Sequence, residues 1–163
     1  MSTKQLQCSQ CVTDIVKVFE DLDFKAEWLE LEITESTLIS NLENTLSNIN
    51  VFKEMGIQFS IDDFGTGYSS LSYLKSLRIS TLKIDREFIK DILVDKDDRS
   101  IVSAIIAMGH TLNYTIVAEG AENKEEIILL QYLACDIVQG YYYSKPLPED
   151  TLLAYIENKE WIK

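Results

Sequence analysis

The sequence predicts an α/β fold built on a parallel sheet, and three observations support this prediction. Segments with strand-like apolar patterns alternate with segments of helical periodicity. Such alternation requires crossover connections, which favour parallel strands. Polar residues also recur at the carboxyl end of every predicted strand, where parallel folds bind ligands. We therefore expect about five parallel β/α units.

The composition is that of one globular domain. The chain has 163 residues, of which 46% are hydrophobic and 10% aromatic, enough for a sizeable core. It contains no long apolar run and no signal-peptide pattern, so we expect no membrane segment and a cytoplasmic location. Its formal net charge of −12 argues against DNA or RNA as a partner, because phosphate backbones bind clustered cations.

The first third of the chain predicts two helices and two strands. Apolar residues recur at helical spacing over 4–22, and 29–34 alternates apolar with acidic residues, as a short strand does. A second helical pattern begins near residue 41 and ends at Gly56, because glycine readily adopts the left-handed backbone of a helix C-terminus. The second strand is expected over 57–64.

The middle of the chain follows a loop that contains glycine. A short helix is expected over 71–77, and a strand interrupted by one lysine over 81–85. Residues 86–93 and about 98–112 carry helical patterns.

The last third predicts two further strands and two helices. Strands are expected over 114–118 and 135–140, and Asn123 with Glu126 forms a capping box for the helix between them. The last helix is expected over 148–158, where proline and acidic residues open the first turn.

The candidate functional residues lie at the ends of these strands. Asp62 and Asp63 stand side by side, and adjacent carboxylates repel unless a cation or proton lies between them. Oxygen-rich sites of this kind suit Mg²⁺, Mn²⁺ or Ca²⁺. Each polar residue alone also fits a structural role, such as a helix cap or an edge-strand charge. One acidic metal pocket explains the whole set, which comprises Glu32, Asp62, Asp63, Lys83, Glu119 and Gln139.

Cys8 and Cys11 form a second candidate, a CxxC pair. Half a zinc site or a redox couple would fit this spacing. The sequence contains no second pair, and its one histidine, His110, is far along the chain. We therefore expect structural or surface thiols.

Five sequence motifs surround the candidate residues and extend over nearly the whole chain. They are Leu-Glu-Ile-Thr-Glu at 31–35, Asp-Asp-Phe-Gly-Thr-Gly at 62–67, Leu-Lys-Ile-Asp at 82–85, Ala-Glu-Gly-Ala-Glu at 118–122 and Gln-Gly-Tyr-Tyr-Tyr-Ser-Lys-Pro at 139–146. These motifs, in this order, resemble those of the EAL-domain family of cyclic di-GMP phosphodiesterases. The resemblance implies a TIM-like (β/α) barrel whose first strand runs antiparallel to the others. It also implies hydrolysis of cyclic di-GMP to linear pGpG with two divalent ions, Mg²⁺ or Mn²⁺.

The resemblance also assigns roles to individual residues. Asp62 resembles a ligand that bridges two ions, and Lys83 resembles the residue that orients the attacking water. Glu35 resembles the glutamate that anchors the loop after the Asp-Asp pair, and Pro146 lies in a segment that resembles the lining of the guanine pocket. The implied metal ligands are Glu32, Asp62, Asp63 and Glu119, and the implied catalytic residues are Lys83, Glu122 and Gln139.

Two family motifs have no match in the chain. These are the Glu-Ala-Leu and Asn-x-Ser motifs, each of which supplies a metal ligand from an early strand. The resemblance therefore implies that residues 1–163 are one incomplete EAL domain, a partial barrel with the C-terminal five strands. We expect the isolated chain to be impaired as an enzyme. A non-catalytic module that binds cyclic di-GMP or a protein, and a hydrolase for another phosphodiester, are the alternatives.

Five strands would leave two open sheet edges. Such edges expose unpaired backbone groups, which favour association with another chain. We expect a homo-oligomer formed through them.

Overall fold

A five-stranded parallel sheet forms the centre of the computed structural model, which describes residues 3–6, 8–21, 24–35, 42–65, 74, 77 and 79–159. The strand order follows the chain order, and each pair of neighbours is parallel, so the prediction of five parallel strands is confirmed. The strands are β1 (Glu30–Thr34), β2 (Gln58–Phe64), β3 (Thr81–Ile84), β4 (Thr115–Glu119) and β5 (Ile137–Gln139).

Among the described residues, helices lie in the connections from β1 to β2, from β3 to β4 and from β4 to β5, as crossovers in a parallel sheet require, and further helices precede β1 and follow β5. A 3₁₀ turn at Ala26–Trp28 precedes β1. The α-helices are α1 (Thr3–Leu6), α2 (Ser9–Asp21), α3 (Leu42–Glu54), α4 (Arg86–Ile89), α5 (Lys96–Thr111), α6 (Lys124–Tyr132) and α7 (Glu149–Glu157).

Two helix predictions differ from the structure. The helix expected over 4–22 is divided into α1 and α2. The helix expected over 86–93 ends at Ile89, and the Arg99 side chain donates hydrogen bonds to the carbonyl oxygens of Ile92 and Leu93 in the turns that follow. The short helix expected over 71–77 lies largely outside the described residues.

Two predicted helix ends are confirmed. Gly56 follows α3 with φ of 95°, in the left-handed region that favours glycine. At the start of α6, the Asn123 side chain accepts a hydrogen bond from the Glu126 backbone N–H at 2.9 Å. The Glu126 carboxylate accepts one from the Asn123 N–H at 3.3 Å, which completes the capping box.

The core lies between one face of the sheet and the helices. Phe59 of β2 is fully buried and contacts Phe52 of α3, with ring centroids 6.1 Å apart. Side chains alternate between the two faces of a strand, so Ser60 and Asp62 point to the opposite face. The apolar positions of the strands therefore build the core, while the positions between them build a second, polar face.

No helix among the described residues has the length and apolar content needed to cross a membrane.

Tyr114 connects the start of β4 to the segment before β3. Its side chain is buried, and its hydroxyl donates to the carbonyl oxygens of Leu74 and, at 3.1 Å, Leu77.

We predict that Tyr114→Phe lowers the free energy of unfolding by about 1–3 kcal/mol, because buried carbonyl groups lose their donor. Urea denaturation measures this change. Tyr132→Phe is the matched control, since that side chain is 85% exposed and its loss of a hydroxyl should leave stability unchanged. Equal stability of the two variants would contradict the prediction.

Candidate functional site

All five strands of the sheet bring predicted site residues to one of its faces. Glu32 of β1 lies opposite Ser60 of β2, two positions before Asp62. Because Leu82 pairs with Ile61, Lys83 takes the same face as Asp62. Glu119 ends β4 beside Gln139 of β5. The strand register therefore brings together residues that are up to 107 positions apart in the sequence.

The Lys83 ammonium group lies at the centre of this face. Its Nζ atom is 2.6 Å from Glu32 Oε1, 2.6 Å from Glu119 Oε1 and 3.4 Å from Asp62 Oδ1. The Lys83 side chain is only 10% exposed, whereas that of Glu32 is 51% exposed. One buried cation therefore links carboxylates from three other strands.

The surroundings of Lys83 keep it protonated. Burial acts to lower its pKa, but the hydrogen bonds to Glu119 and Glu32 and the charge of Asp62 more than offset this effect. The pKa of Lys83 is therefore raised above its ordinary value. At neutral pH the site holds a fixed positive charge among its carboxylates.

Asp63 occupies an irregularity at the end of β2. The register between β2 and β3 shifts between Ile61 and Phe64, and Asp63 has φ of 55°. A left-handed backbone at a residue other than glycine is uncommon, although Asp tolerates it better than most. This bulge changes the direction of the Asp63 side chain relative to regular strand alternation.

Negative charge accumulates around Asp63. Burial, the neighbouring Asp62 charge and a hydrogen bond with the Asp85 side chain raise the pKa of the Asp63 carboxyl, with smaller effects from the charges of Asp85 and Glu119. A further cation near this carboxylate would relieve the repulsion.

The chemistry of these side chains fits a divalent cation. Asp62 Oδ1 is buried and makes no hydrogen bond among the described residues, and carboxylate oxygens are the hard ligands that Mg²⁺, Mn²⁺ and Ca²⁺ prefer. Within the described ranges, however, no three Asp, Glu, His or Cys side chains are arranged around a common point as ligands. Glu32 and Glu119 instead direct an oxygen to Lys83. The carboxylates are thus suitable ligands for a divalent cation, and two of them, Glu32 and Glu119, form ion pairs with the Lys83 ammonium group.

Glu35 lies directly after β1 and is 2% exposed. Its Oε2 atom accepts a hydrogen bond from the Gly65 backbone N–H at 3.0 Å, at the start of the loop after β2. This contact joins the ends of β1 and β2. Its assignment as a loop anchor stays a prediction, because residues 66–73 of that loop lie outside the described part of the chain.

Glu122 and Gln139 border a cavity of about 190 Å³ that also contacts Glu119. The Glu122 carboxylate pairs with Arg86 Nη2 at 2.7 Å. The Gln139 backbone carbonyl accepts hydrogen bonds from the N–H groups of Gly120, at 2.8 Å, and Ala121, at 3.2 Å. Glu122, on the turn between β4 and α6, and Gln139, at the end of β5, thus both lie beside Glu119.

Pro146 lines a second, larger cavity of about 490 Å³. The two cavities are adjacent, since Gln139, Gly140 and Tyr141 line both. The structure therefore places Pro146 next to the carboxylate site rather than within it.

Sequence reasoning missed Asp85 and Arg86. Asp85 accepts a hydrogen bond from the Glu87 N–H at 2.6 Å as the cap of α4, and it also hydrogen-bonds Asp63. Arg86 reaches across to Glu122. The signal available was their position directly after β3, where the other strands carry their functional residues.

The remaining chemical candidates lie outside this cluster. His110 pairs with Asp136 at 3.0 Å. Cys8 is partly buried and is in no disulfide bond among the described residues, whereas the side chain of Cys11 lies outside the described set. The interpretation of the CxxC pair as structural or surface thiols stays a prediction.

Comparison with known proteins gives the site its context. The sequence model of the EAL domain family matches residues 1–146. The cyclic di-GMP phosphodiesterase NbdA of Pseudomonas aeruginosa is 43% identical over 148 residues, which cover 88% of this chain and 19% of NbdA. The chain thus spans about a fifth of the length of this curated relative.

Solved structures share the fold. The PaMucR phosphodiesterase in complex with c-di-GMP superposes with a TM-score of 0.89 at 42% identity, over 93% of this chain and 62% of that one. A manganese and cyclic di-GMP complex of BlrP1 from Klebsiella pneumoniae gives a TM-score of 0.78 at 28% identity, over 85% of this chain and 36% of that one. The fold described here is therefore similar to part of each of these longer chains.

The arrangement around Lys83 predicts a stability effect. We expect Lys83→Met to lower the free energy of unfolding by about 1–3 kcal/mol at pH 7 in buffer with EDTA, because three carboxylates lose their shared cation while the exposure of Glu32 limits the loss. Urea denaturation measures this difference. Lys17→Met, at an exposed position of α2, is the control and should stay within about 0.5 kcal/mol of the unsubstituted chain. A loss no greater for Lys83→Met than for Lys17→Met would contradict the prediction.

Proposed function

This chain belongs to the EAL domain family, and on that premise we propose that it hydrolyses cyclic di-GMP to linear pGpG. One observation carries the proposal: Lys83 Nζ lies within 3.4 Å of a carboxylate oxygen of Glu32, of Asp62 and of Glu119. The same face carries Asp63 and borders two adjacent cavities. Convergent charged groups beside a cavity at the carboxyl ends of parallel strands are typical of an active site.

The relatives support the choice of substrate. NbdA is a cyclic di-GMP phosphodiesterase, and PaMucR is a phosphodiesterase solved with c-di-GMP. The 490 Å³ cavity beside Pro146 is lined by Tyr141 and Tyr143, which offer aromatic surfaces suited to a purine base. We propose that this cavity receives part of the nucleotide.

We propose that Glu32, Asp62, Asp63 and Glu119 hold divalent ions, Mg²⁺ or Mn²⁺. The manganese complex of BlrP1 supports a divalent ion in this fold, and the buried Asp62 oxygen and the repulsion around Asp63 support one at this position. When bound, such ions lower the pKa of a water molecule and offset the negative charge of the phosphodiester.

The chain's own residues have defined tasks in this proposal. Lys83 remains protonated and donates a hydrogen bond to the attacking water or to a non-bridging phosphate oxygen, where charge develops. Glu35 holds the backbone after β2 and thereby fixes the direction of Asp62 and Asp63. Glu122 and Gln139 border the cavity beside Glu119 and support the position of the substrate.

A second candidate function has its own support. Glu32 and Glu119 are each 2.6 Å from Lys83, so the ammonium group satisfies these carboxylates without a metal ion. A chain that keeps this arrangement would bind cyclic di-GMP, or a protein partner, without turnover. Impaired catalysis of the isolated chain, the incompleteness of the domain over residues 1–163 and a cytoplasmic location stay predictions.

A turnover assay tests the proposed function. We expect the chain to convert cyclic di-GMP to pGpG in the presence of Mg²⁺ or Mn²⁺, and EDTA to abolish the reaction. Glu119→Gln should reduce turnover by about 100-fold or more, since residues of a metal site act as a unit. Chromatography of the nucleotides measures the product.

Three outcomes separate the candidates. Turnover that Glu119→Gln abolishes would exclude the binding module. Binding of cyclic di-GMP by calorimetry without pGpG formation would contradict catalysis by the isolated chain. Faster hydrolysis of another phosphodiester in competition would show that cyclic di-GMP is not the preferred substrate.

We also propose that the chain forms a homo-oligomer through its sheet edges. β1 and β5 are the edge strands, and Ile137 on β5 is 50% exposed. An apolar cavity of about 460 Å³ lies beside β1, where Phe19, Phe24 and Leu31 contribute to its lining. Exposed apolar edges favour pairing with a second copy.

Light scattering coupled to size-exclusion chromatography tests the oligomer. We expect a mass of at least twice 18.7 kDa, and a shift towards the monomer for Ile137→Lys, because a charge on an edge strand opposes pairing. Val94→Lys is the control, since Val94 is 81% exposed and lies in the turn before α5. A stable monomer of the unsubstituted chain at all concentrations would contradict the prediction.

A further inference from the structure

Arg86 connects two parts of the site that the sequence places far apart. It is the first residue of α4, three positions after Lys83, and its Nη2 atom is 2.7 Å from Glu122 Oε1 on the turn after β4. Both side chains are at least half exposed, so their attraction alone contributes little stability. The contact instead fixes the position of the Glu122 carboxylate relative to α4.

The stem of Arg86 packs against the backbone of the same turn. Gly120, which directly follows the proposed ligand Glu119, has φ of 82°. A Cβ atom on Gly120 would lie 2.3 Å from Arg86 Cγ and 2.7 Å from Arg86 Cβ, so only glycine permits this approach. The Arg86 methylene groups therefore cover one side of the peptide that leaves Glu119.

Other contacts hold the turn from its remaining sides. The N–H groups of Gly120 and Ala121 donate to the Gln139 carbonyl. The Glu122 N–H donates to Glu126 Oε2 at 2.7 Å, and Glu126 is itself only 5% exposed. Hydrogen bonds to β5 and α6 thus hold the turn backbone from two sides, while Arg86 covers it from a third side and also holds the Glu122 side chain.

We propose that Arg86 is a positioning residue that fixes the turn 119–122, and through it the Glu119 and Glu122 carboxylates. This inference rests on the proposed function for its catalytic consequence.

Of the described residues that line the 190 Å³ cavity, Arg86 alone is cationic. Direct binding of a substrate phosphate by Arg86 is therefore the competing explanation, and the experiment is chosen to separate the two.

Hydrogen exchange followed by NMR tests the positioning without substrate or metal. In Arg86→Met we expect the amides of Gly120 and Ala121 to exchange at least about threefold faster through local opening, with amides of β3 unchanged. Arg86→Lys keeps a cation and a long stem and should stay near the unsubstituted rate. Lys90→Met, an exposed cation four residues later, is the control and should leave the turn unchanged. Unchanged exchange at Gly120 in Arg86→Met would overturn the proposal.

Kinetics with cyclic di-GMP and Mn²⁺ test the mode of action. We expect Arg86→Met to lower kcat by about tenfold with KM within about twofold, and Arg86→Lys to recover most of the loss. The double variant Arg86→Met/Glu122→Ala should be no slower than the slower single variant, because the two residues act in series. A raised KM at unchanged kcat, or multiplicative losses in the double variant, would show that Arg86 binds substrate directly and overturn the proposal.

The proposed function and the positioning role of Arg86 can be contradicted separately. An unsubstituted chain that neither binds nor cleaves cyclic di-GMP contradicts the proposed function, while faster exchange at Gly120 in Arg86→Met still supports positioning. Turnover by the unsubstituted chain together with unchanged exchange and kinetics in Arg86→Met contradicts only the role of Arg86.

Discussion

The structure of the site depends on one buried cation, the Lys83 ammonium group. It lies within 2.6 Å of Glu32 and Glu119 and 3.4 Å of Asp62, so it joins side chains from β1, β2 and β4 to β3. In a chain with a net charge of −12, these carboxylates would otherwise repel one another on the same face of the sheet. The parallel register makes this meeting possible, because the same strand alternation that buries Phe59 and Ile61 points Asp62 away from the core.

Periodicity in the sequence was sufficient to predict the sheet and the face that carries the site. Five strand patterns and the polar residues at their ends lead directly to Glu32, Asp62, Lys83 and Glu119, because alternation and parallel register are properties of the strands themselves. The left-handed backbone of Asp63 could not be predicted in this way, since it arises from the register shift between β2 and β3. No local pattern in the sequence records a shift between two strands.

Contacts between turns were also beyond sequence reasoning. The expected helix over 86–93 ends early, and the guanidinium group of Arg99 binds the carbonyl oxygens of the turns that follow it. The Arg86 contact with Glu122 depends on the close packing of its stem on Gly120, 34 positions later in the chain. The Arg99 contacts span only six and seven residues but depend on the path of the turns after α4, whereas the partners of Arg86 are fixed only when β3 and β4 are paired.

The position of Lys83 also bears on how the site would accept a divalent ion. Its raised pKa keeps the ammonium charged at neutral pH, so the carboxylates of Glu32 and Glu119 are not released by deprotonation of the lysine. Any cation that recruits them must compete with ion pairs of 2.6 Å, whereas the buried Asp62 oxygen is 3.4 Å from Lys83 and makes no hydrogen bond among the described residues. For the divalent ions proposed above, Asp62 is therefore the carboxylate that would be contacted first, and the side chains of Glu32 and Glu119 would have to turn away from Lys83 to join it. Under the proposed function, the balance between these two arrangements would decide between turnover and binding alone.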